Sequence, residues 1–210
     1  MAKPTTIRRE TVAKKRLKRM ALQATTAANC IGKIEKNCEI FGLTKGNFSL
    51  ISILEHLINQ TGPADIVLST WTAAAVDIQA AEKFLENKRI KSIQFLVDQS
   101  FRTRQAEYCA RLVKAFGKEA IRFSCSHCKF VTITNENWNL VVRTSMNLNE
   151  NRRIENFEIS DDKDFSDFLL ELRNELFDQP FEFTQENFHR LGNGNIVSPV
   201  SVFDRLRAMA

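Results

Sequence analysis

Residues 127–159 read HCKFVTITNENWNLVVRTSMNLNENRRIENFEI, and this stretch decides how the chain is understood. Two runs rich in β-branched residues, 129–134 (KFVTIT) and 139–144 (NLVVRT), flank the polar NENW at 135–138. That pattern predicts a β-hairpin with a polar turn. Residues 154–159 predict one more strand. At its beginning, His127 and Lys129 stand two positions apart. On a strand they would share a face, because successive side chains alternate. An imidazole and an ammonium facing one pocket suit a phosphate. Ser145, Asn147, Asn156 and Glu158 follow in order and supply neutral donors and a carboxylate.

Upstream of the hairpin the pattern changes. Residues 65–69 (DIVLS), 91–98 (KSIQFLVD) and 120–125 predict strands, while 73–87 and 103–116 predict helices. Strand and helix alternating in this way predict an α/β domain with parallel neighbours. A short strand and turn at 37–46 lead into a helix containing LISILEHLI, with Asn47 or Ser49 as its cap. The segment FGLTKGNFS is not a phosphate loop, because Lys45 precedes Gly46 instead of following the loop glycine. His56 reads as an ordinary helix residue. Downstream, 164–177 (DFSDFLLELRNELF) is amphipathic, with Phe165, Phe168, Leu169, Leu172 and Leu176 on one side. No internal repeat is present.

Composition bounds the class. The 210 residues are 43% hydrophobic, enough for a real core. Sixteen Phe against one Tyr point to core filling more than to an exposed stacking platform. No apolar run reaches membrane-spanning length, and the basic N-terminus lacks the apolar core of a secretory signal. Five cysteines without a small-scaffold spacing suit a reducing, cytoplasmic setting. Cys125 and Cys128 form a CxxC around His127, but no second pair follows to complete a zinc site. They read as small buried residues beside the active strand, with no metal.

Charge is uneven. Residues 1–19 hold Lys3, Arg8, Arg9, Lys14, Lys15, Arg16, Lys18 and Arg19 against Glu10, a net +7. The whole chain carries +5, so residues 20–210 carry −2. The basic character belongs to an N-terminal arm. Residues 11–28, rich in Ala, Lys, Arg and Leu with no Pro or Gly, predict a basic helix there. Such an arm attracts polyanions and releases counterions from them; the alternative is a solubilising tail.

Taken together, the order H-x-K, S-x-N and N-x-E resembles the phospholipase D superfamily of phosphodiesterases. His127 and Lys129 match H-x-K, Ser145 and Asn147 match S-x-N, and Asn156 and Glu158 match the closing N-x-E. The resemblance covers the motif region and, more loosely, residues 65–177. It implies a mixed, largely parallel sheet flanked by helices over 29–183. A basic helical arm over 1–28 and a tail over 184–210 complete the expected organisation. It implies metal-independent cleavage through a phosphohistidine on His127, with no cofactor. Lys129, Asn147 and Ser145 would stabilise the phosphoryl oxygens, and Glu158 would orient the imidazole. One copy of the motif implies a homodimer, since His56 and His189 lack a lysine two residues later. Small single-motif members are often nucleases, so DNA or RNA is the expected partner, with no membrane. The cations expected to meet it are those from Arg8 to Arg19 in the arm, together with Arg102, Arg104 and Arg143. Two family positions differ: Thr134 stands for the motif Asp and Thr144 for the Gly before the serine. These leave open a degenerate nucleic-acid-binding protein that retains the phosphate pocket. Trp71 could stack on a base or pack in the core, and Trp138, in the turn, could touch substrate or a dimer mate.

Overall fold

The computed structural model describes residues 15–21, 25–149 and 152–178. Its strands are β1 (Lys15–Ala21), β2 (Cys38–Thr44), β3 (Asp65–Thr70), β4 (Ser92–Asp98), β5 (Ile121–Ser124), β6 (Phe130–Thr134), β7 (Asn139–Thr144) and β8 (Glu155–Asp161). Its helices are α1 (Ala27–Ile31), α2 (Leu50–Thr61), α3 (Ala75–Glu86), α4 (Phe101–Arg104), α5 (Ala106–Phe116) and α6 (Lys163–Phe177). All eight strands join one sheet in the order β1-β2-β8-β7-β6-β3-β4-β5.

Period two puts apolar side chains on both faces of the central strands. Ile66 and Leu68 of β3, Val131 and Ile133 of β6, and Leu140 and Val142 of β7 enter the larger core. That core also takes the buried stripes of α1, α2, α3 and α5, among them Leu50, Ile53, Leu54 and Leu57 at helical spacing. Val67, Leu96, Phe130 and Val141 point the other way and meet Leu169 of α6. The sheet therefore lies between two helical layers, which is why its central strands read as near-continuous apolar runs. Asp162 caps α6 by accepting from the Phe165 amide at 3.0 Å.

The sheet is mixed, as expected, but less parallel than the alternation of elements implied. β1–β2, β3–β4 and β4–β5 pair parallel. The other four contacts are antiparallel, because the hairpin and β8 insert between the two parallel blocks. A close approach secures that junction. Gly42 of β2 lies opposite Phe157 of β8, and a Cβ on Gly42 would fall 2.1 Å from the Phe157 ring. The ring lies across the glycine and meets Phe48 edge-on at 5.9 Å.

One expectation is corrected outright. The helix predicted over 11–28 does not form over Lys15–Ala21, which is the edge strand β1, parallel to β2. Leu17 pairs with Ile40 and packs on the core, and Ala21 is buried, while Arg16, Lys18 and Met20 face outward. Helix propensity is a weak prior, and here the free edge of β2 overrides it. Helix begins only at α1, where Thr26 accepts from the Asn29 amide. The predicted helix 103–116 is also split, because Gln105 leaves helical geometry between α4 and α5. Arg8, Arg9, Lys14, His189 and the tail 184–210 lie outside the described residues.

Candidate active site

His127 and Lys129 are not on a strand but in the loop between β5 and β6. This loop opens at the end of the sheet where β3 and β4 finish. The two side chains nevertheless converge. Lys129 Nζ donates to the His127 carbonyl at 2.7 Å and lies 2.8 Å from Nδ1 and 3.1 Å from Nε2. A neutral imidazole has one lone pair in its ring plane, so only one ring contact is a hydrogen bond at a time. The carbonyl bond is the fixed one. Burial lowers the Lys129 pKa below 10.5, opposed by the charges of Cys128, Glu155 and Asp98. His127 is exposed, so an incoming anion can reach the pair from solvent.

The serine and asparagine arrive on the segment after β7. Ser145 Oγ donates to Glu155 Oε2 and accepts from the Asn156 amide at 3.0 Å. Asn147 Oδ1 accepts from the Trp71 amide at 3.2 Å, which leaves its amide group to donate elsewhere. Trp71 in turn packs against His127, with ring centroids 5.4 Å apart and planes at 60°. Thr144 is held by two hydrogen bonds. Its hydroxyl donates to the Asn156 carbonyl at 2.6 Å and accepts from the Met146 amide at 3.0 Å.

Glu158 is not brought to this cluster. It lies opposite Arg143 in the β7–β8 ladder, and the two form an ion pair at 2.7 Å. Arg143 also sits 4.8 Å over the Phe165 ring of α6, which places the pair on the α6 face. The carboxylate at the sheet end is Glu155, the first residue of β8, bonded by Ser145 and near enough to act on Lys129. The N-x-E match thus falls on Glu158, an acid that the ladder directs away from the cluster. The available signal was position: only the first residue of a strand leading away from Ser145 stays beside it.

The remaining candidates are placed as follows. Trp71 is not core but half-buried, with Arg104 stacked 3.7 Å over its ring. Arg102 is exposed and lies 5.2 Å over Phe123. Trp138 packs on the larger core under Lys36, at the opposite end of β6. Five strand residues span about 17 Å, so it does not reach His127. Thr134 is at that same distant end, donating to the Asp65 carbonyl at 3.3 Å. Of the arm's cations, Lys15 pairs with Glu35, Arg16 with Glu39, and Arg19 donates to the Ile31 carbonyl, while Lys18 is exposed. β1 is four strands from β6, a lateral offset of about 19 Å. His56 bonds the Gly32 carbonyl and Gln60, as suits an ordinary helix residue. Cys125 and Cys128 are exposed rather than buried, and all five cysteines are free. Among the described residues no three His, Cys, Asp or Glu gather as a metal site. No described helix is long and apolar enough to cross a membrane.

No protein-family model matches the chain, and no curated protein matches it. Solved structures do. A phospholipase D family member, Nuc from Salmonella typhimurium, superposes with a TM-score of 0.50 at 16% identity, over 67% of this chain and 94% of that one. NucT from Helicobacter pylori gives 0.49 at 15% identity, over 67% and 96%. Polyphosphate kinase from Porphyromonas gingivalis gives 0.49 at 15% identity, over 70% of this chain and 27% of that one. The mixed sheet between two helical layers is thus the fold of a phospholipase D family member.

Proposed function

We propose that the protein is a metal-independent phosphodiesterase acting on nucleic acid through a phosphohistidine on His127. The observation that carries this reading is the Lys129 ammonium held against the His127 imidazole at a solvent-open sheet end. The imidazole nitrogen attacks phosphorus, forming an N–P bond as the bond to the leaving oxygen breaks. Lys129 and the amide of Asn147 meet the charge on the nonbridging oxygens, with Ser145 assisting. Arrival of the phosphate draws the Lys129 ammonium off the imidazole and frees the ring lone pair. Glu155, in place of Glu158, is the carboxylate that holds Ser145 and balances Lys129.

A second histidine must protonate the leaving oxygen and then take a proton from the water that breaks the N–P bond. With one motif per chain, a second copy of this chain supplies it, making the active form a homodimer. Exposed cations near the site, Arg102 and Arg104, and those of the arm add attraction for a polyanion. The test is incubation with plasmid and oligonucleotides in EDTA beside His127→Ala. Cleavage that persists in EDTA and is lost in the variant is the expected result. Cleavage retained by His127→Ala refutes the assignment.

The replacement of the motif Asp and Gly by Thr134 and Thr144 favours one other reading, a nucleic-acid-binding protein without turnover. It predicts affinity that falls steeply with salt and no cleavage by the wild type.

A further inference from the structure

Arg104 is exposed, yet it is held on three sides. Its Nε donates to Ser100 Oγ at 3.0 Å, an Nη donates to the Trp71 carbonyl at 3.3 Å, and the guanidinium carbon lies 3.7 Å over the Trp71 ring. An exposed arginine ordinarily keeps its rotamer freedom, and fixing one costs entropy. Here that cost is met before any ligand arrives.

The same contacts tie Arg104 to the His127 loop. Ser100 Oγ donates to Asp98 Oδ1, and the other Asp98 oxygen accepts from the Ser126 amide at 3.2 Å. One buried carboxylate therefore anchors both the hydroxyl that holds Arg104 and the residue before His127. On the other side, the Trp71 indole touches both the guanidinium and the imidazole. The legs of 3.7 and 5.4 Å, laid end to end, put the guanidinium carbon within about 9 Å of the imidazole centre. Successive phosphates of one strand are joined through six backbone bonds, which carry them farther apart than their rise of about 3.4 Å along a duplex axis, to about 7 Å, and a neighbouring phosphate still falls within that span.

We propose that Arg104, fixed on Trp71, is a second phosphate subsite that takes the phosphate adjacent to the reacting one. The proposal rests on the phosphodiesterase reading and narrows its substrate class. The preferred substrate carries at least two consecutive phosphodiesters, as a polynucleotide does and a lipid or a simple diester does not. Among the described residues, the other Nη of Arg104 keeps its donors for that phosphate, and a guanidinium offers them in a planar fork.

The test compares a thymidine dinucleotide, with one internucleotide phosphate, and a trinucleotide, with two. The readout is kcat/KM per bond, as the ratio of trimer to dimer. Wild type is expected to favour the trimer by about 10- to 100-fold, the range of a charge-assisted hydrogen bond. Arg104→Gln is expected to collapse that ratio toward unity, and Trp71→Leu to lower it part of the way. A ratio unchanged in Arg104→Gln overturns the subsite, whatever the absolute rates. If wild type cleaves neither substrate, the phosphodiesterase reading fails on its own. The subsite is then read from fluorescence anisotropy with labelled forms of the same two oligonucleotides. A trimer-over-dimer affinity ratio that falls in Arg104→Gln supports it, and an equal ratio in both proteins refutes it.

Discussion

The two ends of β6 form a natural comparison. At its start, His127 is exposed, and polar side chains meet one another as well as the backbone: Lys129 on the imidazole and the His127 carbonyl, Trp71 beside the ring, Ser145 on Glu155. At its finish, Thr134 bonds a backbone carbonyl, Asn135 closes the turn, and Trp138 packs on the core. Both ends are rich in polar residues in the sequence. Of the two, the first places an ammonium and an imidazole together where an anion can reach them. The lesson is that which end of a strand a polar residue occupies, more than its type, decides whether it joins the proposed site.

Three sets of substitutions break or sharpen that contrast, taken from the largest expected effect. Lys129→Ala removes the charge that faces the reacting phosphate and is expected to lower kcat by about 100-fold or more. Burial disfavours the Lys129 ammonium, so it loses its proton below 10.5. The alkaline limb of kcat/KM should therefore fall at lower pH than an ordinary lysine would impose. Lys129→Arg stays charged throughout and should abolish that limb while retaining part of the activity. A limb that survives in Lys129→Arg assigns it to another group.

Next come the two glutamates of β8. Glu155→Gln should reduce turnover on the order of tenfold or more, because it removes the carboxylate beside Ser145 and Lys129. Glu158→Gln breaks a half-exposed pair with Arg143, so it should cost less than about 1 kcal/mol in a denaturant titration. Its effect on turnover should stay within about threefold, as for a surface substitution. The reverse order of effects would return the catalytic carboxylate to Glu158.

Smallest is Thr134→Asp, which restores the residue that the superfamily carries. Thr134 pairs directly with Asp65 across the β3–β6 ladder. Like charges opposite each other destabilise, so the substitution should cost roughly 0.2–1 kcal/mol and leave turnover unchanged. Adding Asp65→Asn should recover that loss. An increase in activity on Thr134→Asp would instead link the far end of β6 to the chemistry.

The comparison also explains what could be seen in the sequence. The strands β3 to β7 and the helices between them were legible because their apolar periodicity survives on both sheet faces. The H-x-K and S-x-N pairs were legible because their order is unusual. β1 was not, since Lys-Arg-Leu-Lys-Arg-Met-Ala carries helix-forming side chains and becomes a strand only through the edge of β2. Glu155 was missed because spacing alone does not say where a strand begins. A one-residue offset sends a side chain to the opposite face, and two more carry Glu158 along the ladder to Arg143. The contact of Trp71 with both Arg104 and His127 was also hidden, since it joins the ends of three separate segments.

The most direct test of the central claim is to quench a reaction with a labelled oligonucleotide under alkaline conditions and map the covalent adduct. The account predicts a phosphoryl group on the His127 imidazole, lost on acid treatment and absent from His127→Ala. Cleavage that proceeds with the adduct on another residue, or with none on His127, contradicts it.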